Sequence, residues 1–334
     1  ANLRPCGYNS GMSPEQNQPD AASGRRRRDC ALLLWTTPDF GVRAMARTIA
    51  GELSSEPHNL DVVEVGLADA LSGHDLLHSL SAWTGLRLDA AVIAQVGWPH
   101  VDQQLGVRCP DVVVAGDAVA AAAASAWRDK GHLPVPIVGV VCGLRVDPAW
   151  ARSGVNRLSV VDEAQAQQAA SALGMPDEVL VPSGVPLCAG FSSVSSDDRL
   201  AIRERFELPT DRPVVLTVTD GMASDEITGA LFQLSMVAER AALMFDVARH
   251  DEAADVLRRR AALYDVEARM FGKVTEAGQL WAAADVVVAK PHIYVEQRAL
   301  VQRLPVVFLL PEGDAGLQTA QAWVEREIGR KVEH

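Results

Sequence analysis

Aromatic residues are scarce: Phe, Trp and Tyr make up 5% of the 334 residues. Any core must therefore be built from Ala, Val and Leu. Cysteines are few and odd in number, at Cys6, Cys30, Cys109, Cys142 and Cys188, and none forms a CxxC. That pattern does not suit a disulfide framework, and a reducing cytoplasm is the expected setting. Positive charge is in deficit, with 31 Lys and Arg against 43 Asp and Glu, a net charge of −12. Non-specific nucleic-acid binding needs a cationic surface, so nucleic acid is excluded as a partner. The apolar runs fall far short of the ~20 residues of a membrane-spanning helix. No signal-peptide order is visible near the start. What is present is 48% hydrophobic and 22% charged, a globular mixture. The length suits two domains of about 150 residues each.

Residues 1–28 are rich in Pro, Gly, Asn, Ser and Gln and show no apolar period. They read as a flexible tail. The tail ends in Arg25 to Arg28, a solvated charge run or, alternatively, a contact to anionic lipid or an acidic partner. From Cys30 a strand–helix alternation begins. Strands are expected at 31–35, 60–65, 91–96, 111–116, 136–141, 157–161 and 178–183, as short apolar runs of the kind that parallel strands bury. Val42, Met45, Ala46, Ile49, Ala50 and Leu53 recur at helical spacing. Helices are expected at 117–128 and 162–173. A second series has strands at 213–219, 243–248, 266–272, 285–290 and 305–310, with helices at 226–240, 251–263, 276–283, 293–302 and 317–328. The expected division is tail 1–28, N-terminal domain 29–190, polar linker 191–212 and C-terminal domain 213–334. The fold class is α/β, as two doubly wound Rossmann-like domains facing a cleft. Such sheets bind ligands at the carboxyl ends of their strands.

Trp150, Val161, Glu163, Gly174, Val181, Gly184, Pro186 and Phe191 stand in an order that resembles the middle of glycosyltransferase family 28. The similarity is to its diacylglycerol branch, the monogalactosyldiacylglycerol synthases and processive glucosyltransferases. It continues through RERFELPTDRPVVLTVTDG and AADVVVAKP, and spans roughly 30–328. The resemblance implies the GT-B fold and transfer of a sugar from a UDP-sugar to a lipid acceptor, with no metal in the active site. It places the donor mainly on the C-terminal domain and the acceptor on the N-terminal one.

The family's ligand loops are altered here. Its first Gly-rich loop, followed by a His, reads TTPDFGVRAMA, with Val42 or Arg43 at the His position. Asp39 is either a general base in its place or the N-cap of the next helix. The second loop, TDGMASDE, keeps Gly221 but surrounds it with Asp220, Asp225 and Glu226. These would repel a diphosphate that helix-start N–H groups attract. The third, KPHIYVEQRAL, keeps Lys290 and Pro291. His292 and Ile293 replace the glycines. Arg298 falls on the acidic position that holds the ribose, and Glu296 comes two residues early. In the fourth, PEGDAGLQTAQ, the Gln-Glu pair is missing, with Asp314, Ala315 and Gly316 in its place. Gly221, Phe271, Gly272, Lys290, His292 and Arg298 therefore outline a vestigial or altered donor site, with no cofactor expected.

His74 and His78 would share a helix face, but the spacing supplies no third ligand, so no metal site is expected. The leading expectation is a GT-B pseudoenzyme, a binding or scaffold module with weak affinity for a UDP-sugar or another anion and a protein assembly partner. Two alternatives stand. One is an active glycosyltransferase with a rebuilt site. The other is a membrane-surface adaptor using Arg25 to Arg28 and the irregular region 67–106, which the resemblance implies would face lipid, and where Leu76, Leu80 and Trp83 fit an amphipathic helix or a core face.

Overall fold

The computed structural model describes residues 29–36, 40–67, 90–186, 194–248, 251–272, 277–309 and 313–332. The chain divides after Pro186 into two compact units, with Gly143–Arg145 counted in the second. Each unit is an α/β layer structure around a six-stranded parallel sheet.

The first sheet has the order β2-β1-β3-β4-β5-β6. Its strands are β1 Cys30–Trp35, β2 Asp61–Gly66, β3 Val112–Ala115, β4 Ile137–Val140, β5 Arg157–Val160 and β6 Leu180–Pro182. Every residue of β1 is buried, because a central parallel strand is covered on both faces. The helix Ala118–Asp129 packs on this sheet through Ala120, Ala121, Ala123 and Ala124, all fully buried. Small side chains there let helix and sheet approach closely. Trp127 closes the layer, and its indole N–H donates to the Ala94 carbonyl at 2.6 Å. Asp117 starts the helix by accepting the Ala120 N–H at 2.8 Å. Gly139 in β4 has no room for a side chain, since a Cβ would stand 2.7 Å from Leu158 Cδ1 and closer still to the Trp150 ring.

The second sheet has the order β12-β11-β10-β7-β8-β9. Its strands are β7 Val214–Val218, β8 Ala242–Asp246, β9 Ala268–Phe271, β10 Val286–Ala289, β11 Val306–Leu309 and β12 Gly329–Val332. In both sheets the strand order reverses beside the first strand. From β1 the chain goes to β2 on one side and β3 on the other. From β7 it goes to β8 and β9 on one side, and later to β10 on the other. Helices join the strands, including Ser224–Ser235 after β7 and Ile293–Gln302 after β10.

Two sequence expectations are corrected. Residues 91–96 form part of the helix Ala90–Leu105, not a strand. A six-residue apolar run suits either state, and burial of Ile93, Ala94, Val101 and Leu105 on one face decides it. The last helix spans Gly313–Glu325 rather than 317–328, and the chain then adds the edge strand β12. The polar link contains the helix Ser196–Arg205. This helix is held by Arg203, which is buried, donates to the Ala283 carbonyl at 2.9 Å and pairs with Asp285 at 2.5 Å.

Candidate functional site

Open parallel sheets bind ligands beyond the carboxyl ends of their strands, where the strand order reverses. In the second unit that point lies between β7 and β10, which pair directly with Val218 opposite Ala289. Two candidate segments emerge there. One is Thr219 to Ala223, leading into the helix Ser224–Ser235; the other is Lys290 to His292, leading into Ile293–Gln302. Gly221 turns the first segment at φ +76°, a conformation that favours glycine. The hydroxyl of Thr219 donates to the Asp246 carbonyl at 2.8 Å, fixing the loop to the end of β8.

Glu226 bridges the two segments. Ala223 has no side-chain acceptor, so only one half of a capping box forms here: the Ala223 N–H donates to Glu226 Oε2 at 2.6 Å. The other carboxylate oxygen, Oε1, meets Lys290 Nζ at 2.8 Å, with both side chains more than four-fifths buried. Burial works against the ionised carboxylate. The hydrogen bond from Lys290, the Ala223 N–H and the Lys290 charge outweigh it, and the Glu226 carboxyl stays below its ordinary range.

His292 is the N-cap of the next helix. Its Nδ1 accepts the Tyr294 N–H at 3.2 Å, which requires that nitrogen to be unprotonated. Arg298 is 7% exposed, and its guanidinium carbon lies 3.0 Å from the centroid of the Tyr294 ring. Phe271 and Gly272 lie at the end of β9, two strands away from β7, with Phe271 edge-on to Phe206 at 5.3 Å. Gly221, Lys290 and His292 thus gather at the reversal point, whereas Phe271 and Gly272 do not.

Glu296 is 5% exposed. Its Oε2 accepts the Trp323 indole N–H at 3.0 Å and the Leu144 N–H at 3.2 Å. Burial pushes its carboxyl upward, against the pull of those two donors and of the Arg145 charge. Both oxygens face Gly143, where a Cβ would stand 2.9 Å from Oε1 and 3.0 Å from Oε2.

At the reversal point of the first sheet, Asp117 binds Thr36 across β1 and β3. Its Oδ2 accepts the Thr36 N–H at 2.6 Å, and Oδ1 the Thr36 hydroxyl at 2.8 Å. The sequence reading missed Asp117, although an Asp between an apolar run and a small-residue helix is an N-cap signal. Asp39, His74, His78 and Arg25 to Arg28 lie outside the described residues. Among the described residues, no group of three or more His, Cys, Asp or Glu could hold a metal ion. No described helix is long and apolar enough to cross a membrane.

No family model matches the chain. A curated relative, the processive diacylglycerol beta-glucosyltransferase of Staphylococcus carnosus, is 20% identical over 209 residues, 62% of this chain and 52% of that protein. The chain thus spans about half the length of that relative. Among solved structures, MurG of Acinetobacter baumannii aligns with a TM-score of 0.59 at 10% identity, covering 91% of this chain and 85% of that one. The glycotransferase of kitacinnamycin aligns at 0.54 and 15% identity, covering 92% and 87%. UDP-GlcNAc 2-epimerase from Neisseria meningitidis, bound to UDP-GlcNAc, aligns at 0.53 and 12% identity, covering 90% and 86%. At such identities the structural likeness shows the fold. The chain has the GT-B fold of two Rossmann-like units, and within it resembles the diacylglycerol glycosyltransferases of family 28.

Proposed function

We propose that this GT-B glycosyltransferase-like protein keeps the scaffold of a nucleotide-sugar site without its usual contacts, and works as a binding or scaffold module. The ligand class comes from its relatives: a diacylglycerol glucosyltransferase and a UDP-GlcNAc-bound epimerase point to a UDP-sugar, and the former to a lipid. The observation that carries the reading is the Lys290–Glu226 ion pair at the strand reversal. A cation at this position would serve a diphosphate, and here it serves a carboxylate of the same chain. Two further features agree. His292 spends its Nδ1 on capping a helix. Arg298, at the position expected for the ribose contact, has the wrong charge for that role and lies against Tyr294. Calorimetric titration with UDP, UDP-glucose, UDP-galactose and UDP-N-acetylglucosamine tests the reading: binding is expected to be weak or absent.

A further inference from the structure

We infer that Glu226 is a built-in competitor for the diphosphate of a nucleotide, so that removing its charge opens the site. The inference rests on the reading of the site given under Proposed function and adds what governs it.

A diphosphate entering between β7 and β10 would need what Glu226 now holds. Those groups are the Lys290 ammonium at 2.8 Å and a backbone N–H at the start of the helix Ser224–Ser235, at 2.6 Å. The carboxylate therefore imitates the ligand, an anion accepting hydrogen bonds from a lysine and a helix start. The sheet topology points independently to the same place. The second sheet reverses its strand order between β7 and β10, with the next strands leaving in opposite directions, and such a reversal is where open α/β sheets take their ligands. Glu226 and Lys290 are 64 positions apart, and the pair forms across that reversal. The Glu226 carboxyl is held in its charged form, so near neutral pH it both occupies Lys290 and repels an incoming phosphate.

The test is calorimetric titration of the full chain, of Glu226→Gln and of Glu226→Ala, with UDP and, separately, with inorganic pyrophosphate. The double variant Glu226→Ala with Lys290→Ala is the control. Glu226→Ala is expected to bind both probes at least about tenfold more tightly than the unaltered protein, the step expected for one charge-assisted hydrogen bond returned to the ligand. The double variant should lose that gain. Glu226→Gln keeps a carbonyl acceptor for the Ala223 N–H and should gain less. If thermal melting shows Glu226→Ala to be unfolded, the Gln variant decides. Affinities within about twofold of the unaltered protein overturn the inference and leave the functional reading standing. A gain for UDP without one for pyrophosphate overturns it too, since the competition is for the diphosphate. Tight UDP binding by the unaltered protein contradicts the functional reading instead. The ratio between variant and unaltered protein decides the inference in every case.

Discussion

Replacing Glu296 by Gln should stabilise the protein increasingly as the pH rises. The carboxyl is buried and its pKa is raised by burial. A model glutamate titrates near pH ~4.3, and the unfolded chain releases its proton there. The folded chain holds the proton to higher pH. Between the two pKa values the native state binds more protons than the unfolded one, so stability falls as pH rises through that window. Below the window Glu296 imposes no penalty, and above it the penalty is constant. Glutamine removes the titration and can still accept from the Trp323 and Leu144 N–H groups through its carbonyl. Its NH2 group would then take the place of Oε1, the oxygen that accepts neither of those two bonds. Alanine behaves differently. It leaves two buried donors without an acceptor, at about 1–3 kcal/mol each, and opens a cavity, against a gain from removing a buried acid. The net change should be a loss. Urea unfolding at pH 5, 7 and 8.5 reads both effects. The Gln variant's advantage over the parent should grow with pH, and Ala should be the least stable at pH 5. A Gln-minus-parent difference that is flat or falls with pH would refute the reasoning.

Two substitutions test the frame that positions the site. Gly139→Ala places a Cβ against Leu158 and Trp150 and should cost about 1–3 kcal/mol as overpacking, read as a lower urea midpoint at unchanged m-value. Arg203→Met strips the Ala283 carbonyl of its donor and leaves Asp285 to the Val214 N–H and Arg199. It should cost about 2–3 kcal/mol, less than for a fully buried pair because Asp285 is one-third exposed; a midpoint unchanged from the parent would show that the helix Ser196–Arg205 is held by other contacts.

The strands were legible where apolar runs were bounded by turn residues and flanked by helical periodicity. β1, β7 and β10 are buried nearly throughout, and their sequences carry no polar alternation. The run at 91–96 misled because its length suits a strand as well as one face of a helix. The helix Ser196–Arg205 was illegible for another reason. Seven of its ten residues are Ser, Asp, Glu or Arg, and what holds it is Arg199, Arg203 and Arg205 reaching residues some 75 to 85 positions away. The candidate site was half legible. The loops and their altered residues could be read, including the acidic surround of Gly221. That Glu226 reaches Lys290 could not, because the contact exists only once β10 returns beside β7. Glu296 gave no signal either: the helix Ile293–Gln302 buries Glu296, Gln297, Arg298 and Gln302 alongside Val295 and Ala299, so its polar residues do not mark a solvent face.

The central claim is that the donor corner is closed to nucleotides by the chain's own groups. Calorimetric titration of the unaltered protein with UDP tests it most directly. A hydrogen bond to a charged group contributes ~1.5–3 kcal/mol. Withholding Lys290 and losing an acidic ribose contact at Arg298 should together remove on the order of 3–6 kcal/mol, enough to carry a micromolar site to hundreds of micromolar at the least and past the millimolar range at the most. The account predicts a dissociation constant above ~100 μM. A value below ~100 μM, abolished by Lys290→Ala, would contradict it and show Lys290 serving a nucleotide despite Glu226.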